Sequence, residues 1–310
     1  MNIVQSDSAK PHIRMNLFHD ISTLGMNLID LAWEQHRFHE SRQWSSTQIL
    51  DNMDFTHFDK TDRIFISNAG MAEITTKPGA DRLAKQAEDE GHFWLDKNPM
   101  VSVIMQACGT WSRYWNQEES FHDATLNKIA AIIGESIVDD QTFIKLRQVF
   151  PKDNMLRTLV LLAFSEAVAH VSYIEYAKVT KNKQLANLLN HIGADEAQHM
   201  SYFITFAKAL VDSGEYNVKD VLSVGYMFIK DGGELSGSAR GEEIEKRDHH
   251  VNWWDEVDSD VMQKLNNIKK QKMIFSVINR ITGISLTNET ELYDCWIKAI
   301  KSKSNSIRAS

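Results

Sequence analysis

Only four prolines, at positions 11, 78, 99 and 151, punctuate this 310-residue chain, and runs of alternating β-branched residues are scarce. Proline inside a helix removes a backbone hydrogen bond and clashes with the preceding turn, so its rarity leaves long stretches free to run as helix. The chain reads as all-α, with helices predicted at about 15–40, 60–95, 100–133, 139–149, 154–180, 183–213, 218–230, 255–281 and 288–303. Asp96-Lys97-Asn98-Pro99 breaks two of the long segments, and Lys181-Asn182-Lys183 marks a second hairpin. The stretch from Asp231 to Gly241 is the most loop-like. It sets off C-terminal helices from the bundle; within one main domain the bundle core is placed at about 60–215 and a helical extension at about 216–310, and the two termini are expected to fray.

Inside these helices an acidic-Glu-x-x-His pattern occurs twice, as Glu118-Glu119-Ser120-Phe121-His122 and Asp195-Glu196-Ala197-Gln198-His199. Roughly one Glu-x-x-His is expected by chance in a chain of this length, so a single copy means little and the pair means more. Residues three apart share a helix face, so each motif aims a carboxylate and an imidazole at one point. The bland alternative is two solvated Glu/His pairs on helix surfaces.

Antiparallel helices joined by a short turn bring residues equidistant from that turn to the same depth. Glu166 precedes Asn182 by about as much as Glu196 follows it, and Glu73 and Glu119 are similarly placed about Lys97. A four-helix bundle with a Glu from each of two helices and a Glu-x-x-His from each of the other two offers four carboxylates and two imidazoles. Carboxylates can bridge two cations and imidazole accepts iron well, so the set suits two irons, with manganese chemically open. Glu73 follows an apolar run, Ile64 to Ala72, where an unpaired carboxylate is costly to bury. Glu88 and Glu90 are the alternatives on that segment, although their depth matches Glu119 poorly. Glu166 lies among apolar residues on all sides. His170, one turn further on, is open to three roles: ligand, donor behind a ligand, or hydrogen-bonded core histidine. Asp195 is placed to accept the free N–H of a ligand histidine, whereas Glu118 is open to facing solvent. Trp44, Trp111 and Trp115 either cover the site, relay electrons or fill the core.

Composition removes competitors. Cys108 and Cys295 are the only cysteines, too few for a disulfide framework or a thiolate metal site, and consistent with a reducing compartment. A net charge of −8 argues against nucleic-acid binding. Lysine groups at 178, 181, 183 and at 264, 269, 270, 272 read as solvated helix faces before they read as a patch for an acidic partner. No secretory signal is recognisable, and the most apolar run, around Thr158 to Phe164, is too short to span a bilayer, so a cytoplasmic protein is expected.

The stretch Thr110 to Lys128, Thr-Trp-Ser-Arg-Tyr-Trp-Asn-Gln-Glu-Glu-Ser-Phe-His-Asp-Ala-Thr-Leu-Asn-Lys, resembles the region around the first Glu-Glu-x-x-His of soluble acyl-carrier-protein desaturases. Ile192 to His199 is similar to their Asp-Glu-x-x-His, and the Ser165-Glu166 helix lies between in the same order. The likeness covers about 60–215. It implies a ferritin-like fold, a homodimer, and metal ligands Glu73, Glu119, His122, Glu166, Glu196 and His199. It also implies two irons, which when reduced activate O2 to remove two hydrogens from an acyl chain held on acyl carrier protein, with electrons from ferredoxin. The Glu73 segment matches only loosely, and the N-terminal region and the chain beyond Asn217 do not align. Met105, Phe121, Leu162 and Phe203 are candidates to line an acyl tunnel. Rival readings are an oxygenase that hydroxylates or N-oxygenates a metabolite, an iron-storing ferritin-like protein, and a metal-free scaffold. Ile192 stands where the arylamine N-oxygenase group resembles a bundle with an extra histidine ligand, and His191 is out of phase with it.

Overall fold

The computed structural model describes residues 12–74, 76–135, 154–230 and 260–307, and these are helical with short connections. In chain order they form α1 (Leu17–Ser22), α2 (Leu28–Glu40), α3 (Ser46–Asp51), a single 3-10 turn (Phe55–His57), α4 (Lys60–Glu73), α5 (Thr76–Trp94), α6 (Pro99–Ile132), α7 (Met155–Val179), α8 (Lys183–Asp212), α9 (Val218–Lys230), α10 (Asp260–Thr282) and α11 (Glu289–Ile307). The helix expected at 139–149, the first residues of the one expected at 255–281, and the loop at 231–241 lie outside the described residues.

The helix starts are chemically marked. Asn98, Asn154 and Asn182 cap α6, α7 and α8 by accepting backbone N–H groups of the first turn, and Pro99 occupies the first position of α6, where a missing N–H is harmless. Asp59 and Asp62 form a reciprocal capping box on α4. Two predicted helices are each divided. The 15–40 segment breaks at Gly25, whose φ of +70° suits a residue without Cβ, and Asn27 caps the second piece. The 60–95 segment ends at Glu73 and restarts at Thr76. A proline at 78 has no N–H to return to the carbonyl of residue 74, yet it fits the first turn of α5. The ligand candidate Glu73 is thus the last residue of α4.

Four rods form the bundle: α4 with α5, then α6, α7 and α8. Both α4 and α5 pack along α6, which at 34 residues is about 51 Å long, and α7 packs along α8. Asp62 of α4 ties the first rod to α7, accepting hydrogen bonds from Tyr176 Oη (2.7 Å) and Thr180 Oγ1 (2.6 Å). The C-terminal helices complete the core. Helix α10 lies on α7, α8 and α9, and α9 packs on α7 and α11. That cover explains why α7 is apolar on every side, with Leu156, Leu159, Val160, Ala163, Phe164 and Ala167 all buried. Helix α7 is the one described helix long and apolar enough to cross a membrane by length and composition, longer than the short run apparent in the sequence. Half of its apolar window is buried within the fold.

Gly193 lies where α8 approaches α7 closely. A Cβ there would meet Ile174 Cδ1 at 2.9 Å, Ile174 Cγ1 at 3.0 Å and Tyr173 Cβ at 3.4 Å. Gly193→Val is therefore expected to spread the two helices and to destabilise the protein by about 1–3 kcal/mol, read as a lower denaturant midpoint. An unchanged midpoint would show that Ile174 repacks freely.

Candidate metal centre

The four rods bring six acidic and imidazole side chains to one buried place. Glu73, Glu119, His122 and Glu196 form one group of ligand atoms within 4.8 Å of one another, and Glu119, Glu166, Glu196 and His199 form a second. Glu119 and Glu196 belong to both. Glu119 turns Oε2 toward His122 Nδ1 (3.5 Å) and Oε1 toward His199 Nδ1 (2.9 Å). Glu196 likewise offers Oε1 to His122 Nδ1 (3.2 Å) and Oε2 to His199 Nδ1 (3.3 Å). Two carboxylates thus stand between the imidazoles, whose ring centres are 6.1 Å apart, while Glu73 closes one side and Glu166 the other.

Behind each imidazole stands a second carboxylate, supplied crosswise by the acidic residue that precedes the glutamate of the opposite motif. His122 Nε2 faces Asp195 Oδ2 at 3.3 Å, and His199 Nε2 faces Glu118 Oε2 at 2.8 Å. These contacts place the N–H on Nε2 and turn Nδ1 toward the cluster. Glu118 faces inward, because His39 Nδ1 lies 2.9 Å from its other oxygen. Asp195 also accepts from Arg42 Nη2 (2.7 Å) and from Trp44 Nε1 (2.6 Å). Asp195→Ala strands all three donors, so metal affinity is expected to fall about 10- to 100-fold in a metal titration. An unaltered affinity would show that Asp195 does not orient His122.

Burial and mutual charge set the protonation pattern. Burial pushes the Glu73 and Glu166 carboxyls well above the usual range, reinforced by the charges of Glu119 and Glu196. Burial also acts to raise Glu119, but hydrogen bonds from His122 and His199 outweigh it and hold this carboxyl below the usual range. Glu196 is held low in the same way, by bonds from Glu166, His122 and His199 against burial and the charge of Glu119. Burial acts to lower both imidazoles. Asp195, Glu119 and Glu196 around His122, and Glu118, Glu119, Glu166 and Glu196 around His199, raise them well above the ordinary value instead. Without a cation these shifts favour the neutral acid at Glu73 and Glu166, the carboxylate at Glu119 and Glu196, and the protonated ring at His122 and His199.

The donor set fits a pair of divalent cations. Glu119 Oε2, His122 Nδ1 and Glu196 Oε1 are fully buried and meet one another only in long, poorly aligned contacts (3.5 Å and 3.2 Å from the imidazole nitrogen), an expensive arrangement unless a cation lies between them. All the donors are carboxylate oxygen and imidazole nitrogen, which suits iron or manganese. Cys108 belongs to neither group, and burial pushes its thiol up.

Other predicted residues fall elsewhere. His170 is set apart from the six: its Nδ1 meets the backbone carbonyl of Gly193 at 2.6 Å, pinning α7 to α8. Glu90 accepts from Tyr216 Oη and Glu88 is exposed, which leaves Glu73 as the acid of its rod in the cluster. Of the tunnel candidates, Met105, Leu162 and Phe203 are buried, but Phe121 is 46% exposed on the outer face of α6. Of the lysines noted in the sequence, Lys178 and Lys269 both donate to Glu175. Trp115 donates from Nε1 to Glu119 Oε1 (2.9 Å), stacks on Trp111 and meets Phe203 edge-on, forming an aromatic wall against the cluster. Trp44 stacks between His122 and His191 and lines a surface groove of about 720 Å³. Arg42, His39 and Tyr173 escape sequence reasoning. Tyr173 alone left a signal, standing two helical turns after Glu166 on the same face of α7.

Helices α6, α7 and α8 lie within a segment that resembles a known family. Residues 98–228 match the fatty acid desaturase family. The desaturase match spans α6 to α9, somewhat less than half of the chain, and includes both Glu-x-x-His motifs and Glu166. It supports a fatty-acid-desaturase-like diiron family. Glu73 lies before it. A search of curated proteins finds no match.

Proposed function

We propose that this protein is an O2-dependent diiron desaturase that introduces a double bond into an acyl chain carried on acyl carrier protein, with reducing equivalents from a ferredoxin-type donor. The observation that carries the reading is the pair of carboxylates, Glu119 and Glu196, each offering one oxygen to either imidazole, in helices that lie within the residues of the desaturase match. An aliphatic C–H bond offers nothing to acid–base chemistry. Bound iron, reduced and exposed to O2, would supply the oxidant that removes its hydrogen.

The residues of the chain do the rest. Glu73, Glu119, Glu166, Glu196, His122 and His199 would hold the ions, the imidazoles through Nδ1, with Glu119 and Glu196 common to both groups of donors. Asp195 and Glu118 keep the imidazoles in the binding tautomer. Trp115, Trp111 and Phe203 exclude water from one side, so that reactive equivalents meet substrate and not solvent. On the opposite side, Trp44, Asp195 and His122 form a continuous contact from the surface groove to the cluster, a route by which electrons could enter. Ile192 is fully buried and His191 stacks on Trp44, so neither adds a ligand of the kind an arylamine N-oxygenase would use.

The test is product analysis. Iron-loaded protein supplied with O2, a ferredoxin reducing system and a panel of acyl carrier protein thioesters is expected to yield acyl chains lighter by two hydrogens. Products gaining an oxygen atom would assign the same cluster to an oxygenase.

A further inference from the structure

Tyr173 makes a contact that the proposed chemistry does not use. It lies on α7, is 3% exposed, and donates its phenolic O–H to Glu73 Oε1. Its ring packs edge-on against Phe65 (centroids 6.0 Å apart, 81°), and Phe65 stacks face to face on Tyr176 (4.0 Å, 11°). Tyr176 in turn donates to the buried carboxylate of Asp62. Two phenol–carboxylate pairs thus flank one phenylalanine, and only the first of them touches the cluster.

Such a pair is suited to losing an electron and a proton together. Oxidising a buried phenol without a proton acceptor would create a cation in a medium that solvates it poorly. Once cations are bound and Glu73 has given up its proton, its carboxylate is the acceptor already bonded to the O–H, so the product is a neutral radical and no new charge is buried there. Other oxidisable rings touch the centre, among them Trp111, which meets His199 edge-on. Trp115 donates to Glu119, both of whose oxygens are already shared between His122 and His199. Trp44 stacks on His122, but its N–H is given to Asp195, which lies outside the six cluster side chains. Glu73 takes part in only one of the two ligand groups, so its Oε1 is the better placed of these oxygens to take up a proton.

Building on the diiron reading above, we propose that Tyr173 is a redox-active residue of this centre. When the O2-oxidised centre finds no acyl chain, Tyr173 is oxidised by one electron, which reduces the centre by one equivalent. The phenolic O–H bond breaks, its proton passes to Glu73 Oε1, and a neutral tyrosyl radical remains. An external one-electron donor of the ferredoxin type then returns the electron, and the proton returns from Glu73. The residue would spare the aromatic wall from damage during turnover without substrate.

The experiment is freeze-quench EPR of protein loaded anaerobically with ferrous iron and mixed with O2 in the absence of any acyl substrate. Protein grown on ring-deuterated tyrosine is compared with unlabelled protein, so the result does not depend on a variant. An organic radical signal that narrows on deuteration is expected, lost in Tyr173→Phe and kept in Tyr176→Phe. The assignment is overturned if no organic radical forms while iron oxidises, if the signal ignores deuterated tyrosine, or if it survives in Tyr173→Phe. Iron uptake and optical oxidation are followed in the same samples. A centre that loads and oxidises without a radical removes only the role of Tyr173, whereas a protein that takes up no iron removes the diiron reading and this proposal together.

Discussion

Glu166→Gln is expected to leave the metal-free protein about as stable as the parent while emptying half of its metal centre. Burial and the charges of Glu119 and Glu196 keep Glu166 protonated when no cation is present, so an amide of nearly the same shape replaces a neutral acid. The change in unfolding free energy should lie within about 1 kcal/mol, because no ionised group is removed. Metal binding responds differently. The group of Glu119, Glu166, Glu196 and His199 loses one of its three carboxylates, and iron content should fall from two per chain toward one. Loss of an outlying partner of a ligand already costs about 10- to 100-fold, so removing the ligand should lower turnover by more than about 100-fold. Glu119→Gln forms the contrast. Glu119 is held ionised by His122 and His199 and accepts from Trp115, so its loss leaves buried positive charge uncompensated. That variant should lose both irons and about 3–5 kcal/mol of metal-free stability. If both variants behave alike in both assays, the protonation pattern described for the cluster is wrong.

Iron loading should raise thermal stability sharply and release protons. Two neutral acids and two imidazolium rings leave four protons in the cluster, and all four must depart before the six side chains can bind cations. Two divalent ions entering as four protons leave keeps the net charge of the site unchanged, which lets the buried cluster accept them. The sign of the pH effect follows: protons compete for the metal-free form, so apparent affinity rises with pH and falls on acidification. A ligand held only by the folded state stabilises it by about 4 kcal/mol at a free concentration a thousandfold above its dissociation constant. For a chain of this size that is a rise of about 6 °C in Tm. Calorimetry with ferrous iron in buffers of different ionisation enthalpy reads the proton count, and a scan with and without chelator reads the Tm. No proton release, or a Tm indifferent to chelator, would mean that the acids and imidazoles satisfy one another without metal.

Much of the fold was legible because helices of this length leave a periodic record. The breaks at Asn98-Pro99 and at Asn182 are written in cap chemistry that acts within one turn of the chain, so they could be located to a residue or two. The division at Glu73 was harder to see, since a proline is tolerated in the first turn of a helix and the segment on either side keeps a helical pattern. The short α3 lacks a buried face of its own and left no periodic trace.

At the site, depth matching across two hairpins reached Glu73, Glu119, Glu166 and Glu196 because helical rise is uniform, and i, i+3 spacing then set His122 and His199 beside them. The surroundings were not legible in the same way. Glu118 looks like a solvent-facing acid until α2 brings His39 against it, and Arg42 and Trp44 reach Asp195 from a segment some 150 residues away in the chain. His170 shows the converse. It shares a helix face with Glu166, but its imidazole is taken by the carbonyl of Gly193, at the point where the missing Cβ lets α7 and α8 approach. Contacts between distant segments depend on which loop packs where, and local periodicity carries no record of that.

The most direct test of the account is metal analysis joined to Mössbauer spectroscopy on protein loaded anaerobically with ⁵⁷Fe and then oxidised. Two irons per chain in a diamagnetic, exchange-coupled ferric pair are expected, as two ions sharing Glu119 and Glu196 must interact. One iron per chain, uncoupled ferric ions, or no retained iron would contradict a bridged centre.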